Sequence, residues 1–145
     1  SDDDKNYVVM DVGGDPVGAT ALGGYAHKLK DATVYMVVNT CCPLTGTAAD
    51  IEEMAADIQR CSRMQIRGFI NNSNLGVDTT EETVLGSLEN ANRLSQIVGL
   101  PLVMTTALES LKIPDTVGIK DITKKLFEFF IKKHSLYGSC SKIST

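Results

Sequence analysis

The residues best suited to chemistry in this chain are an aspartate and two glycines near its start. Residues 7–12 are mostly apolar or β-branched and lack helical periodicity, which predicts a buried strand. Asp11 lies at the end of this segment, and Gly13 and Gly14 follow it. A carboxylate in this position can hold a water molecule of a Mg²⁺ shell. A glycine amide can approach a terminal phosphate because no side chain intervenes.

The spacing of these residues strengthens the phosphate interpretation. Asp11 and Gly14 form a D-x-x-G pattern, with which switch loops of the GTPase type sense a γ-phosphate. The alternative is that Asp11 is a helix cap or a solvated turn residue, and the longer apolar-D-x-G-G string favours the phosphate role. Asp15 is better suited to capping a helix that begins with Pro16. We therefore predict a phosphate site at Asp11, Gly13 and Gly14, with Mg²⁺ bound to Asp11 through water.

A loop that could cradle the phosphates is missing from the 145 residues. The pattern G-x-x-x-x-G-K-[ST] occurs nowhere in the sequence. Gly18, Gly23 and Gly24 are too scattered to form such a loop, and no Lys-Ser or Lys-Thr pair follows them. Backbone amides and a lysine in that loop provide most of the affinity for phosphate, so these 145 residues contain only part of a nucleotide site.

The elements that must position these residues alternate along the chain. The patterns predict strands at 7–12, 33–39, 66–71 and 101–106, and helices at 16–30, 48–62, 81–98 and 121–134. Right-handed crossovers then give a mostly parallel sheet with helices on both faces, a three-layer α/β sandwich. A short helical turn is expected at 107–112.

The helix boundaries have recognisable signals. Thr47 with Asp50 predicts a capping box for the second helix, and Thr80 predicts the cap of the third, with Thr79 as a rival. Gly99 should close the third helix, and Gly23 with Gly24 should end or kink the first. The predicted core face of the third helix consists of Val84, Leu85, Leu88, Leu94, Ile97 and Val98.

Polar residues follow the carboxyl end of every predicted strand. They are Asp11 to Asp15, Asn39-Thr40, Asn71 to Asn74, and Thr105-Thr106. Ligands of parallel sheets bind beyond these ends, so the residues predict one binding edge. Strand ends are also commonly polar without binding anything. Asn72 could contact a nucleotide base, because an amide is both donor and acceptor, or it could belong to an Asn-rich turn.

Composition limits the classes of function. A chain of 15.6 kDa with 43% hydrophobic residues fits one soluble domain. A net charge of -4 argues against a dominant nucleic-acid surface, although lysines at 120, 124, 125, 132 and 133 leave room for a local basic face. No apolar run approaches the ~20 residues that span a bilayer, and no signal peptide is evident, so we expect a cytoplasmic protein.

The cysteines predict free thiols. The four cysteines lack C-x-x-C spacing and only two histidines are present, which argues against a zinc site. Adjacent Cys41 and Cys42 are expected to be small, partly buried thiols, because neighbouring cysteines close only a strained ring. The polar residues 135–145 are expected to form a flexible tail.

At these residues the chain resembles the ParA/MinD/CobQ family of deviant-Walker P-loop ATPases. The motif Asp-Val-Gly-Gly-Asp-Pro-x-Gly-Ala begins at Asp11, and the resemblance covers about residues 7–108. It implies a P-loop NTPase-like (Rossmann-like) fold that binds ATP and Mg²⁺. It also implies that Asp11 is the Walker B carboxylate, that Gly14 is the switch glycine, and that Asn72 contacts adenine.

The chain departs from the family in one respect. The family's Gly-Lys-Gly-Gly-x-Gly-Lys-Thr loop and its catalytic aspartate would lie before Ser1. The resemblance therefore implies that residues 1–145 are a single but incomplete α/β domain, the C-terminal part of an ATPase. The parent would use Mg-ATP as a conformational or dimerisation switch, form a homodimer and act on a protein partner. This chain alone should not hydrolyse ATP.

The sequence is also consistent with a different class of protein, a non-catalytic one. The chain could be a self-sufficient flavodoxin-like binding or interaction module without catalysis, since four strands and an acidic balance also suit that fold. Its recognition surface would then consist of the loops 40–47 and 72–79.

Overall fold

A computed structural model describes residues 10–13 and 16–119 of the protein. The described helices are α1 (Pro16–Gly23), α2 (Ala48–Ser62) and α3 (Glu81–Val98). The described strands are β1 (Val34–Val38), β2 (Ile66–Asn71), β3 (Leu102–Leu108) and β4 (Val117–Ile119). Short 3₁₀ turns occur at Ala26–Lys28, Pro43–Thr45, Gly76–Asp78 and Glu109–Leu111.

The four strands form one parallel sheet whose spatial order, β1-β2-β3-β4, follows the chain. Val38 pairs with Asn71, and Asn71 pairs with Thr105, so the carboxyl ends of β1 and β2 lie level with Thr105 of β3, which continues to Leu108. The predicted α/β class and parallel sheet are confirmed, and the arrangement is a layered, Rossmann-like one.

The composition of the sheet differs from the prediction at both ends of the described chain. Met10 to Val12, from the predicted strand 7–12, lie outside the sheet, and residues 7–9 are outside the described residues. Instead, Val117–Ile119 forms the fourth strand, β4. Three residues are too few to show a periodicity of two, which is why the sequence did not reveal this strand.

The core places both long helices on one face of the sheet. Its buried members come from β1, β2, α2 and α3: Met36, Val38, Ile51, Ala55, Ile66, Phe69, Ala91 and Leu94. Met36 and Phe69 are paired across β1 and β2, so their side chains lie on the same face. When neighbouring parallel strands are consecutive in the chain, right-handed crossovers place the connecting helices on the same face of the sheet. α2 and α3 follow this rule.

We predicted helices on both faces of the sheet, but α2 and α3 lie on the same face. They form one layer against the sheet, and α1 packs against α2. The predicted helix 121–134 and tail 135–145 lie outside the described residues. A third layer therefore stays a prediction. None of the described helices is long and apolar enough to cross a bilayer.

The predicted boundaries of α2 and α3 are confirmed, whereas the first helix is shorter than the predicted 16–30. Thr47 and Asp50 form a reciprocal capping box at the start of α2, and Thr80 caps α3 with Thr83. Gly99 ends α3 with a φ of 71°, a left-handed conformation that glycine adopts without strain. α1 begins at Pro16 and ends at Gly23. The rival cap Thr79 instead closes the preceding turn, since its hydroxyl donates to the Gly76 carbonyl at 2.6 Å.

The core face of α3 is narrower than predicted. Val84, Ser87, Ala91 and Leu94 are buried. Leu85 and Ile97, which we predicted to be buried, are 46% and 57% exposed. The 84-87-91-94 spacing is a helical stripe in which the small side chains of Ser87 and Ala91 let the helix approach the sheet. An apolar side chain just beside that stripe remains in contact with water.

Candidate functional site

The carboxyl ends of β1 and β2 and the middle of β3 bring together polar residues that the sequence singled out. We call residues 39–40, 71–74 and 105–106 the polar rim. Parallel strands end at the same edge of a sheet, and the register places these segments side by side. Hydrogen bonds cross between these segments, and the predicted convergence is confirmed for the ends of β1 and β2. Thr105 and Thr106, which we predicted to end their strand, instead lie inside β3, because that strand continues to Leu108.

Two loops of the polar rim are joined through Asn39. The Asn39 side-chain amide donates to the Asn74 carbonyl at 3.1 Å, and the Asn74 N–H donates to the Asn39 carboxamide oxygen at 3.2 Å. Beside this pair, the Thr40 N–H donates to Ser73 Oγ at 2.7 Å. The loop after β1 and the loop after β2 are consequently fixed relative to each other.

Asn71 ties the polar rim to the rest of the fold and is completely buried. Its Nδ2 donates to Ser87 Oγ of α3 at 3.1 Å and to Thr105 Oγ1 of β3 at 3.3 Å. Its Oδ1 accepts from the Ser73 N–H at 3.2 Å and from Ser73 Oγ at 2.5 Å. These bonds use both donors and both lone pairs of the carboxamide, so Asn71 has no capacity left for a ligand.

Asn72 has a different arrangement. Its N–H donates to the Val38 carbonyl at 2.8 Å, and its Oδ1 accepts from Thr106 Oγ1 at 2.6 Å. Its Nδ2 donates to no atom of the described residues. Asn72 as a whole is 9% exposed. Thr106 is 2% exposed and fixes which end of the carboxamide faces outward.

The Asn-rich turn, which is the alternative role of Asn72, is present after β2, and Asn74 makes its side-chain bonds. Its Oδ1 accepts from the Gly76 N–H at 3.1 Å, and its Nδ2 donates to the Asn72 carbonyl at 2.8 Å. The first bond is the i to i+2 contact by which an asparagine side chain stabilises its own turn. Three asparagines in one segment therefore have three roles, and Asn72 alone among them keeps an amide group free of described partners.

The predicted phosphate residues are only partly described by the structure. Asp11 and Gly13 are exposed, and Gly14 is outside the described residues. The Gly13 carbonyl oxygen lies 2.6 Å from the position that a Cβ on Gly18 would occupy, so this segment runs close against α1. Among the described residues, no hydrogen bond joins Asp11 to the polar rim. The assignment of Asp11, Gly13 and Gly14 to phosphate and Mg²⁺ stays a prediction.

Ser87 is the rim partner that sequence reasoning missed. A serine inside a helix is expected to face solvent, but Ser87 is 5% exposed and also donates to the Val84 carbonyl at 2.7 Å. Its position on the 84-87-91-94 stripe is the signal that could have identified it. A polar residue on a core stripe needs a buried partner, and the end of the neighbouring strand provides one.

The polar rim is electrically neutral. Its hydrogen bonds join only asparagine, serine and threonine side chains and the backbone. Three His, Cys, Asp or Glu side chains do not come together as a metal-binding group anywhere in the described residues. Far from the rim, near the end of α2, a hydrogen bond to Asp57 at 2.8 Å raises the pKa of Arg60.

No family model, curated protein or solved structure matches the chain, so comparison with known proteins assigns it to no family.

Proposed function

We propose that the chain is the C-terminal part of a ParA/MinD-like ATP-binding protein and that the polar rim binds the base of Mg-ATP. The observation that supports this best is the carboxamide of Asn72. Thr106 holds its oxygen at 2.6 Å, and its amide group is left without a described partner at the carboxyl end of β2. In parallel sheets this end is where ligands bind.

The chemistry of adenine suits this carboxamide. Adenine presents an amino donor beside a ring-nitrogen acceptor, and a carboxamide can match both at once. No described residue accepts from Asn72 Nδ2, and its Oδ1 has a second lone pair beyond the one that Thr106 uses. Since Asn72 N–H is bonded to Val38, backbone and side chain are both oriented before a base arrives.

The phosphates would extend toward Asp11. In this proposal Asp11 holds a water molecule of the Mg²⁺ shell, and the amides of Gly13 and Gly14 approach the terminal phosphate. The 145 residues contain no G-x-x-x-x-G-K-[ST] loop, so an upstream segment would have to provide the lysine and most of the phosphate affinity. The whole protein would hydrolyse ATP or use it as a switch between conformations or oligomers.

Calorimetry with Mg-ATP tests the proposal. It should compare this chain with the chain extended upstream to its start codon, and we expect binding by the extended form only. In that form Asn72→Ala should weaken ATP binding by about 1–3 kcal/mol, the value of a bidentate contact with a base. Asn92→Ala, on the exposed surface of α3, is the matched control and should bind like the parent. Absence of binding by both lengths would rule out the nucleotide function.

One observation favours a second candidate, a non-catalytic interaction module. The loops 40–47 and 72–79 expose large apolar side chains: Leu44 is 71% exposed, Leu75 is 52% and Val77 is 89%. Asn39 and Asn74 hold these loops together, so the three side chains belong to one rigid region. If neither length of chain binds ATP, this region is where a protein partner should contact the molecule.

A further inference from the structure

Two adjacent free cysteines lie in the tight turn that follows β1. The Cys42 N–H donates to the Asn39 carbonyl at 2.9 Å, which is the i to i+3 bond of a β-turn. Cys41 is exposed and Cys42 is partly exposed, and both are free thiols. In a strand, neighbouring side chains point to opposite faces. Residues of a turn need not follow this alternation.

The turn is held rigidly by its neighbours. Asn39 Oδ1 accepts from the Cys41 N–H at 3.0 Å and from the Asn74 N–H at 3.2 Å. The Cys42 carbonyl accepts from the Thr45 N–H at 3.0 Å, and Thr45 Oγ1 donates to the Asn39 carbonyl at 2.6 Å. A ligand of the two thiols would therefore order little additional chain, which lowers the entropic cost of binding.

A direct disulfide between these thiols is disfavoured. Consecutive Cα atoms are about 3.8 Å apart, whereas disulfides usually join Cα atoms separated by about 4.4–6.8 Å. Placing one further atom between the two sulfurs enlarges the ring and removes this mismatch. The pair is better suited to chelating a sulfur-seeking centre than to forming a bond between its own sulfurs.

The number of donors selects the ligand. No group of three His, Cys, Asp or Glu side chains is found in the described residues, so this part of the chain adds no third ligand to the two sulfurs of the pair. Zinc in structural sites takes four ligands, and a two-coordinate cation prefers its sulfurs on opposite sides. Trivalent arsenic with one organic substituent needs two sulfurs in a bent arrangement. We propose that Cys41 and Cys42 chelate such a monosubstituted trivalent arsenical.

The reaction is a condensation without a change of oxidation state. The two S–H bonds break and two As–S bonds form, and the oxygen of an organic arsenoxide leaves as water with both thiol protons. Arsenic remains trivalent throughout, so no oxidant or reductant takes part.

Phenylarsine oxide is a suitable probe, with intact-protein mass spectrometry as the measurement. We expect one adduct per chain that resists excess monothiol and is released by a dithiol competitor. Cys41→Ser and Cys42→Ser should each lower the affinity about 100-fold, because the second sulfur then no longer binds intramolecularly. Cys61→Ser and Cys140→Ser are the matched controls and should keep the adduct. Circular dichroism should show that all four variants keep the parent fold.

Two outcomes would overturn the proposal. One is an adduct that survives in Cys41→Ser or Cys42→Ser with unchanged affinity. The other is an adduct of the parent chain that monothiol removes as readily as it removes the adduct of either single variant. Both would show that the two sulfurs do not act together. Neither result depends on ATP binding, so this proposal and the nucleotide proposal can fail separately.

Discussion

At the scale of single residues, the adjacent Asn71 and Asn72 show how one residue type takes two roles. Asn71 uses its full hydrogen-bonding capacity on Ser73, Ser87 and Thr105 in the interior. The side chain of Asn72 makes one hydrogen bond with the described residues, in which its Oδ1 accepts from Thr106 Oγ1. The first should therefore matter for stability, and the second for binding.

Replacing Asn71 should destabilise the fold. Asn71→Ala removes a buried hydrogen-bond partner from each of Ser73, Ser87 and Thr105, and we expect a loss of about 3 kcal/mol in the free energy of unfolding. Urea denaturation followed by circular dichroism measures it. Asn92→Ala removes an exposed bond to the Leu88 carbonyl and should change stability by less than about 0.5 kcal/mol. Equal effects of the two substitutions would contradict the structural role of Asn71.

Replacing Thr106 should disturb binding through Asn72. Thr106→Val removes the hydroxyl that orients the Asn72 carboxamide, and we expect the extended chain to bind Mg-ATP about tenfold more weakly, with less preference over Mg-GTP. Thr106→Ser restores the hydroxyl and should restore both quantities. Calorimetry with the two nucleotides provides the measurement. If the serine variant behaved like valine, loss of packing rather than of orientation would be the cause.

At the scale of elements, two helical glycines have opposite surroundings. A Cβ on Gly23 of α1 would lie 2.4 Å from the Cys61 carbonyl oxygen, which belongs to the backbone of α2. A Cβ on Gly86 of α3 would meet nothing within 4 Å. The close approach of α1 to α2 therefore depends on Gly23. Gly86 allows no such approach and only lowers the helix propensity of α3.

Alanine at the two positions should change stability in opposite directions. Gly23→Ala forces the backbones of α1 and α2 apart and should cost about 1–3 kcal/mol. Gly86→Ala should stabilise the protein by about 0.5–1 kcal/mol, because alanine is the better helix former and nothing obstructs it. Thermal and urea unfolding of the pair measures both. A Gly23→Ala variant as stable as Gly86→Ala would show that the helices do not pack as described.

At the scale of the whole molecule, the described part of the sheet ends at β1. β1 lies at the edge of the described sheet and pairs with β2 alone among the described strands. Val37 of β1 is 42% exposed. An edge strand with an exposed apolar residue is a template for pairing with another chain. This agrees with the homodimer that the sequence predicted, which stays a prediction.

A charge on the edge strand should oppose self-association. We expect light scattering to show a dimer of the parent chain at high concentration, and Val37→Lys to shift it to monomer, since edge lysines block strand pairing. Val77→Lys, in the exposed loop after β2, is the matched control and should leave the dimer intact. A parent chain that stays monomeric would count against the edge as an interface. Loss of the dimer in Val77→Lys alone would instead indicate the rim loops.

Much of this architecture is local and therefore readable from the sequence. β1, β2 and β3 follow from runs of apolar residues, and α2 and α3 follow from periodicity together with Thr47, Thr80 and Gly99 as boundaries. Caps and turns form between residues a few positions apart, so their signals are contained in short segments. The alternation of strands and helices then determined the α/β class and the parallel sheet.

Contacts between distant segments required the tertiary structure. The bonds of Asn71 to Ser87 and of Asn72 to Thr106 span 16 and 34 positions, and nothing near either asparagine specifies which of them is saturated. The same holds for the burial of Ser87 in place of Leu85, and for Gly23 against Cys61, because both depend on how helices approach their neighbours. The sequence by itself determined that polar residues gather at one edge of the sheet. Only packing decided which of them bond to one another and which, like Asn72, keep an amide group without a partner among the described residues.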